Sequence, residues 1–388
     1  MLIENLMMLR LLVCLLILIN LTACGASSQA QAQERLFPDV SVEFLDVDEI
    51  PKQTFKKTPV GGLSGITYNQ RQGLFYAISD DRSQYAPARF YTLKIDLNQT
   101  EEVPRIQDIT VEDVTFLKTE EGEFFPSGEI DSEGIAFAPG NTVFISSEGN
   151  TNQEINPFVA RFDLSTGKRK QNLPIPQRFL LPETPEEAPK GVRNNLGFES
   201  LTLNPSGVLS PEGDPFRVFT VTESSLSQDQ LPPESEARTR VRFLHYVVNP
   251  IGQPLPIAEH LYLLDQPPLG SMSNGLTEVL AIKPEGYFLT LERSFGLSGY
   301  SAKLFLVTVG NATDTSGVDN FNVDLGGLQP LRKKLLFDFS QLDFDIYNLE
   351  GLATGPRLAD GSQSLWIISD DNFNEKEATQ VLLFRLTT

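Results

Sequence analysis

The segment Asp131 to Asn150, DSEGIAFAPGNTVFISSEGN, lays out a plan that the chain repeats: an acidic residue, a short apolar strand, a turn, a second apolar strand and a second acidic residue. The same plan is read in Leu63 to Asp81 (LSGITYNQRQGLFYAISDD), in Phe198 to Glu223 (opening FESLTLNPSG, closing FRVFTVTE), in Thr277 to Glu292 (TEVLAIKPEGYFLTLE) and in Leu349 to Asp371 (opening LEGLATGP, closing LWIISDD). Aligned on the first acidic position, the copies start at Ser64, Glu133, Glu199, Glu278 and Glu350, in steps of 69, 66, 79 and 72 residues. A near-constant period over most of a chain indicates one supersecondary unit repeated, not unrelated domains. Every unit is strand-rich and none carries a helical period, so the expected fold is all-β, a single β-propeller.

The alternation of apolar and polar residues predicts four strands per unit. In the first copy they fall at Ser64 to Tyr68, Leu74 to Ser79, Arg89 to Asp96 and near Ile106 to Leu117. The last copy has only three, ending with Thr379 to Leu386, while the strand Ser41 to Asp48 has no partner nearby in sequence. Pairing the two supplies the missing strand, closes the ring and removes an exposed edge. Five blades follow from this count; a sixth, degenerate blade within Thr100 to Gly128 or Asn311 to Asp345 is the alternative. Pro182 to Lys190 and Ser224 to Ala237 break the strand pattern and read as long loops.

The formal net charge is -20, and it is unchanged without residues 1 to 23, which hold one acid, Glu4, and one base, Arg10. Such a surface repels nucleic acid and anionic lipid. With two histidines (His245, His260) and two cysteines (Cys14, Cys24), a nitrogen- or sulfur-rich zinc or copper site is excluded, as is a disulfide framework in the mature chain.

Leu11 to Ile19 is an apolar run too short for a comfortable membrane span, and reads as the core of a signal peptide over residues 1 to 23. The following LTAC-G resembles a bacterial lipobox, which implies cleavage before Cys24, lipid attachment to its sulfur and, with Gly25 next, the outer membrane of a diderm host. An ordinary secretory signal with a chance cysteine is the alternative. Residues 24 to 36 are small and polar and read as a flexible tether to a domain spanning 37 to 388. The expected location is therefore the cell envelope, outside the cytoplasm, with the membrane engaged by the lipid anchor only.

In a propeller blade the start of the first strand and the end of the second lie on the same face. The repeat places carboxylates at those two points: Glu133 with Glu148, Glu199 with Glu223, Glu278 with Glu292, and Glu350 with Asp370 and Asp371; the first copy has Ser64, with Asp80 and Asp81. Two unit charges about 4 Å apart repel by roughly 4 kcal/mol at an effective dielectric of about 20. The outlets are a bound hard cation, arginine pairing or raised pKa values. Oxygen-only donors favour calcium or magnesium, and a cluster this acidic favours calcium. Arg82 and Arg293 each follow a terminal acid and are candidates for pairing. The bland alternative is that these acids cap strands and accept turn amides.

The combination of GGLSGI with SDD, DSEGIAF with SSEGN, GFESLTLNP, and NLEGLA with IISDDN is similar to the phytase-like family, also described as esterase-like activity of phytase. The resemblance covers about Val60 to Leu386. It implies a propeller of secreted or lipid-anchored bacterial proteins with phosphoric-ester hydrolase activity, in which calcium held by Glu133, Glu199, Glu350, Asp81 and Asp371 would polarise a phosphate and activate a water. Arg82, Arg293, Lys190 and Arg193 become candidates to hold other phosphates, with plain surface bases as the alternative for Lys190 and Arg193. A serine esterase is less supported: no G-x-S-x-G elbow occurs, both histidines fall inside predicted strands, and Ser64 is the only serine expected at the channel mouth. Two further readings share the same ring: a calcium propeller lactonase or related ester hydrolase, and a lipid-anchored binding propeller in which calcium is structural.

Overall fold

The computed structural model describes residues 36–388 apart from 101–102, 185, 205–212, 233–234, 236, 284–285 and 324. The segment read as a signal peptide, Cys24 and all of the tether but its last residue lie outside the described residues. Over Ser41–Thr387 the chain forms one compact unit.

Five four-stranded antiparallel sheets, with a two-stranded hairpin of Gln53–Phe55 and Thr58–Val60, make up the sheet structure of that unit. Blade 1 contains Leu63–Asn69, Leu74–Ser79, Arg89–Asn98 and Arg105–Phe116, and blade 2 contains Ser132–Ala138, Thr142–Ser147, Phe158–Asp163 and Arg169–Asn172. Blade 3 is built from Phe198–Leu203, Phe216–Thr222, Arg240–Val248 and Leu255–Leu263, and blade 4 from Ser271–Lys283, Tyr287–Gly296, Gly299–Thr308 and Arg332–Asp338. Blade 5 takes Asn348–Arg357, Gln363–Asp370 and Thr379–Thr387 from the C-terminal end, and its outer strand is Ser41–Ile50. That strand pairs antiparallel with Thr379–Thr387, from Ser41 opposite Thr387 to Ile50 opposite Thr379. The ring is thus closed as the unpaired N-terminal strand predicts, and there are five blades, not six. Within the described residues the only helical pieces are four short 3-10 turns, and no helix is long and apolar enough to cross a membrane.

The first strands of successive blades pack side by side around the axis, blade 5 against blade 1 included. Core side chains fill the wedges between blades. Trp366 and Ile368 of blade 5 meet Ile66, Phe75 and Tyr91 of blade 1, and Ile78 and Phe90 of blade 1 meet Phe137 and Ile145 of blade 2. Further round, Phe144 and Val159 meet Leu201 and Leu244, and Val221 and Phe243 meet Val279 and Phe288. Trp366 is fully buried, edge-on to Phe75 at 5.4 Å. Each strand turns one face to each neighbouring wedge, which is why the alternating pattern holds apolar residues on both faces of the middle strands.

Close to the axis the blades nearly touch. A Cβ added to Gly65 would lie 2.6 Å from the carbonyl oxygen of Glu133 and 3.3 Å from the amide of Ile135, both in the neighbouring blade. Gly65→Ala is therefore expected to cost about 1–3 kcal/mol by prising blades 1 and 2 apart. Urea unfolding measures this, and a cost below about 0.5 kcal/mol, ordinary for a surface change, would show the contact to be slack.

Candidate functional site

The strand ladders define which residues occupy equivalent places at the channel mouth. Between the first two strands of every blade the register slips near the mouth, at Leu63/Gly65, Ser132/Ile135, Phe198/Ser200, Leu276/Glu278 and Leu349/Gly351, with further slips elsewhere in blades 4 and 5. The residues left in the bulges near the mouth are Ser64, Glu133 (with Gly134), Glu199, Thr277 and Glu350. A bulge re-aims its side chain, and here three of the five meet: carboxylate oxygens of Glu133, Glu199 and Glu350, from blades 2, 3 and 5, lie within 4.8 Å of one another. Only the axis brings three blades that close. The two hydroxyls do a different job, Ser64 Oγ donating to Glu133 O at 3.0 Å and Thr277 Oγ1 to Leu349 O at 3.1 Å.

At the equivalent point of the second strands stands a second set: Asp80, Glu148 and Glu223, one step past the strand's end in blades 1 to 3, and Arg293 and Asp370, still within the strand in blades 4 and 5. Asp80, Glu148 and Glu223 hydrogen-bond through their backbone amides to Gly62, Asp131 and Gly197, while Arg293 and Asp370 face Gly275 and Asn348 in the ladder. Two more triads of oxygens within 4.8 Å result, Asp80 with Asp131 and Glu133, and Glu148 with Glu199 and Glu223. The three triads share Glu133 and Glu199 and form one continuous acidic surface.

Blade 4 departs from the sequence expectation by one residue at both points. Thr277, not Glu278, holds the bulge, and Arg293, not Glu292, holds the second position. A slip of one residue sends a strand side chain to the opposite face, so both glutamates leave the channel. Glu278 is buried between blades and accepts from the amides of Leu201 (3.0 Å) and Val279 (2.9 Å). Glu292 lies in the wedge with blade 3, where Tyr262 Oη donates to it at 2.5 Å, Asp265 N at 2.7 Å, and Lys333 pairs with it. Arg293 instead bridges the ring, 3.4 Å from Glu223 and 3.0 Å from Glu350.

Adjacent acids likewise divide between two faces. Asp81 pairs with the fully buried Arg89 and accepts from the amides of Gln84, Tyr85 and Ala86, while Asp371 accepts from Gly62 N at 2.8 Å and Phe373 N at 3.1 Å. Both are turn anchors and neither joins a triad. Arg82 crosses the mouth from blade 1, 2.5 Å from Asp131 and 4.0 Å from Asp80, and reaches Asn195 ahead of blade 3. Lys190 is engaged by Glu187 at 2.7 Å. Arg193 donates to oxygens of Ser224 and Ser225 at 2.9–3.4 Å and contacts no carboxylate among the described residues.

Two site residues escape the repeat reading, Asp131 and Asn348. Both stand two places before a bulge acid, on the same face of the strand, so D-S-E and N-L-E were the available cue. Asn348 Nδ2 donates to Glu350 at 2.7 Å, and its Oδ1 is buried without a hydrogen-bond partner, as is Oδ1 of Asp80.

Burial pushes the carboxyls of Asp80, Glu133, Glu148, Glu199 and Asp370 well above the usual range, and their mutual repulsion adds to it. Burial also raises Glu223 and Glu350, the latter to about 7, although Arg293 beside them works in the opposite direction. For Arg293 burial opposes the charge, but Glu223, Glu350 and Glu199 outweigh it and hold its pKa above normal. Eight acids, Asp80, Asp131, Glu133, Glu148, Glu199, Glu223, Glu350 and Asp370, thus face two ion-paired arginines.

The donor set fits a hard divalent cation. It is all oxygen, it carries excess negative charge, it includes buried oxygens without a hydrogen-bond partner, and the oxygens of each triad lie close enough together to share one ion, whose ligands at about 2.4 Å can stand at most about 4.8 Å apart. Glu133, Glu199 and Glu350 are the residues best placed to hold such an ion, with Asp80, Asp131, Glu148 and Glu223 flanking them.

A family model described as "Phytase-like: Esterase-like activity of phytase" matches residues 58–373. No curated protein sequence matches the chain. Among solved structures, one from the GH130 family of mannoside phosphorylases is similar at 10% identity and TM-score 0.41, covering 89% of this chain and 95% of that one. A hypothetical protein from Leishmania major is similar at 10% identity and TM-score 0.38, covering 91% and 92%. Likeness at this level carries no inference about activity.

Proposed function

The chain belongs to the phytase-like family, and from that membership and the acid ring we propose that it is a calcium-dependent hydrolase of phosphate esters. It would act outside the cytoplasm, held to the envelope by a lipid on Cys24, with a small anionic substrate as its partner. The single observation that carries the reading is the axial meeting of Glu133, Glu199 and Glu350 within a surface far more acidic than its two arginines can neutralise. Bound there, a divalent cation would turn an anion-repelling mouth into one that accepts and polarises a phosphoryl group. The chain's own residues supply the rest. Arg193, which makes no direct ion pair among the described residues although it feels the charge of Glu223, would hold a phosphate oxygen, and Arg293 would stabilise charge beside Glu350. The inter-blade hydrogen bonds of Ser64 and Thr277 keep the ring's spacing fixed.

Phosphate release from phenyl phosphate and from inositol hexakisphosphate, with calcium and with chelator, tests this. Calcium-dependent release is expected, lowered on the order of a hundredfold or more in Glu133→Gln/Glu199→Gln. Absence of release from both substrates, with calcium raising only the melting temperature, would leave the ring as a structural cation site and favour a binding propeller.

A further inference from the structure

The mouth carries a second built feature, an aromatic arc over blades 4, 5 and 1. Ser79-Asp80-Asp81 and Ser369-Asp370-Asp371 close the second strands of two neighbouring blades, and the two turns that follow are alike. In each, the first aspartate stands at the channel and the second is buried under the turn. The next two residues are left-handed in both, Arg82 (φ 37°) and Ser83 (φ 55°) in one, Asn372 (φ 47°) and Phe373 (φ 50°) in the other. A bulky residue such as phenylalanine rarely adopts that conformation and keeps it only where its surroundings impose it.

The outcome is a stacked pair. Tyr85, whose amide is held by Asp81, and Phe373, whose amide is held by Asp371, meet with ring centroids 4.7 Å apart, and Tyr85 remains 64% exposed. The Phe373 ring rests on Gly62, where a Cβ would come within 2.5 Å of it. Blade 4 extends the arc. Its second and third strands run past Arg293 to a hairpin bearing Phe295 and Tyr300, 4.7 Å apart, and Tyr300 Oη donates to Glu377, which also accepts from Asn372. Across the mouth, ahead of blade 3, stands Arg193. The rim is therefore aromatic on one side and offers on the other one guanidinium that makes no direct ion pair among the described residues, with Glu223 near enough for its charge to be felt.

We propose that this site takes monophosphate esters whose alcohol carries an aromatic ring, with the ring stacked at Tyr85 and Phe373, and that it does not favour a polyphosphorylated polyol. The inference rests on the phosphate-ester reading above. One base without a direct ion pair serves one phosphate; six would need a basic pocket, and Arg82, Arg293 and Lys190 are already paired with acids.

Calorimetric titration of the full chain in calcium with phenylphosphonate, methylphosphonate and inositol hexakisphosphate tests it, because the phosphonates bind without being hydrolysed. Phenylphosphonate is expected to bind about tenfold tighter than methylphosphonate, the order of an aromatic stacking contact. Tyr85→Ala should abolish that preference and Tyr85→Phe should keep it. Equal binding of the two phosphonates, tightest binding of the hexakisphosphate, a preference that survives Tyr85→Ala, or no binding of any of the three would each overturn the inference. Ring preference without turnover of phenyl phosphate would sink the hydrolase reading alone, and turnover without ring preference the inference alone.

Discussion

In chelator, the melting temperature of the protein is expected to fall as pH rises from about 5 to about 8, and saturating calcium is expected to reverse the trend. The sign follows from the ring. Asp80, Glu133, Glu148, Glu199, Glu223, Glu350 and Asp370 bind protons more tightly in the folded chain than an unfolded carboxyl does. Their contribution is complete below the ordinary carboxylate range of about 4, and it is lost as pH rises through the raised values, which for Glu350 is about 7. A divalent cation needs the same groups deprotonated, so its contribution grows in the direction in which the protons' contribution fades. At calcium a thousandfold above its dissociation constant the linkage is about 4 kcal/mol, or about 5 °C in a domain of this size.

The variant Glu133→Gln/Glu199→Gln sharpens the test, because its effect should change sign. In chelator at pH about 8 it removes two mutually repelling charges and is expected to melt above the wild type. In calcium it removes two ligands and is expected to melt below it. Parallel pH profiles in chelator and in calcium, with the variant shifted the same way in both, would show that the ring is kept in order by its arginines and hydrogen bonds and needs no ion.

That ring also marks where sequence reading worked and where it failed. Period, closing strand and blade number were legible because each rests on the alternation of apolar residues, which the wedges between blades require. The site was legible to within one residue. Reading LTEV as an acid-led copy set Glu278 and Glu292 at the mouth, whereas superposing its apolar residues Leu276 and Val279 on Leu63 and Ile66 puts Thr277 in the bulge and brings in Arg293. Asp81 and Asp371 illustrate the same geometry, since of two adjacent acids only one can face the axis. What no period could disclose is the packing of the long loops, whose partners are far apart in sequence and bear no fixed spacing to the blades.

Arg242 shows what those loops hold in place, and Arg242→Met is expected to destabilise the protein by about 3–5 kcal/mol. Its guanidinium is fully buried, gripping Asp229 through two nitrogens at 2.6 and 2.9 Å and Glu259 through the third at 2.5 Å, with the Phe321 ring 3.9 Å away. Removing it strands two buried carboxylates with only the more distant Arg178, 3.4 Å from Glu259, to offset them. Adding Asp229→Asn and Glu259→Gln should recover part of the loss, since the stranded charge and not the lost contact is the larger cost. The effect should reach the mouth. Asp229 anchors the segment whose Gln228 and Ser227 hydrogen-bond to Gly191, and whose Ser224 and Ser225 orient Arg193. Urea unfolding measures the first effect, and faster proteolysis within residues 224–239 of Arg242→Met measures the second. A loss below about 1 kcal/mol with unchanged cleavage would mean that the loop is held by its backbone contacts alone, and that Arg193 owes its position to them.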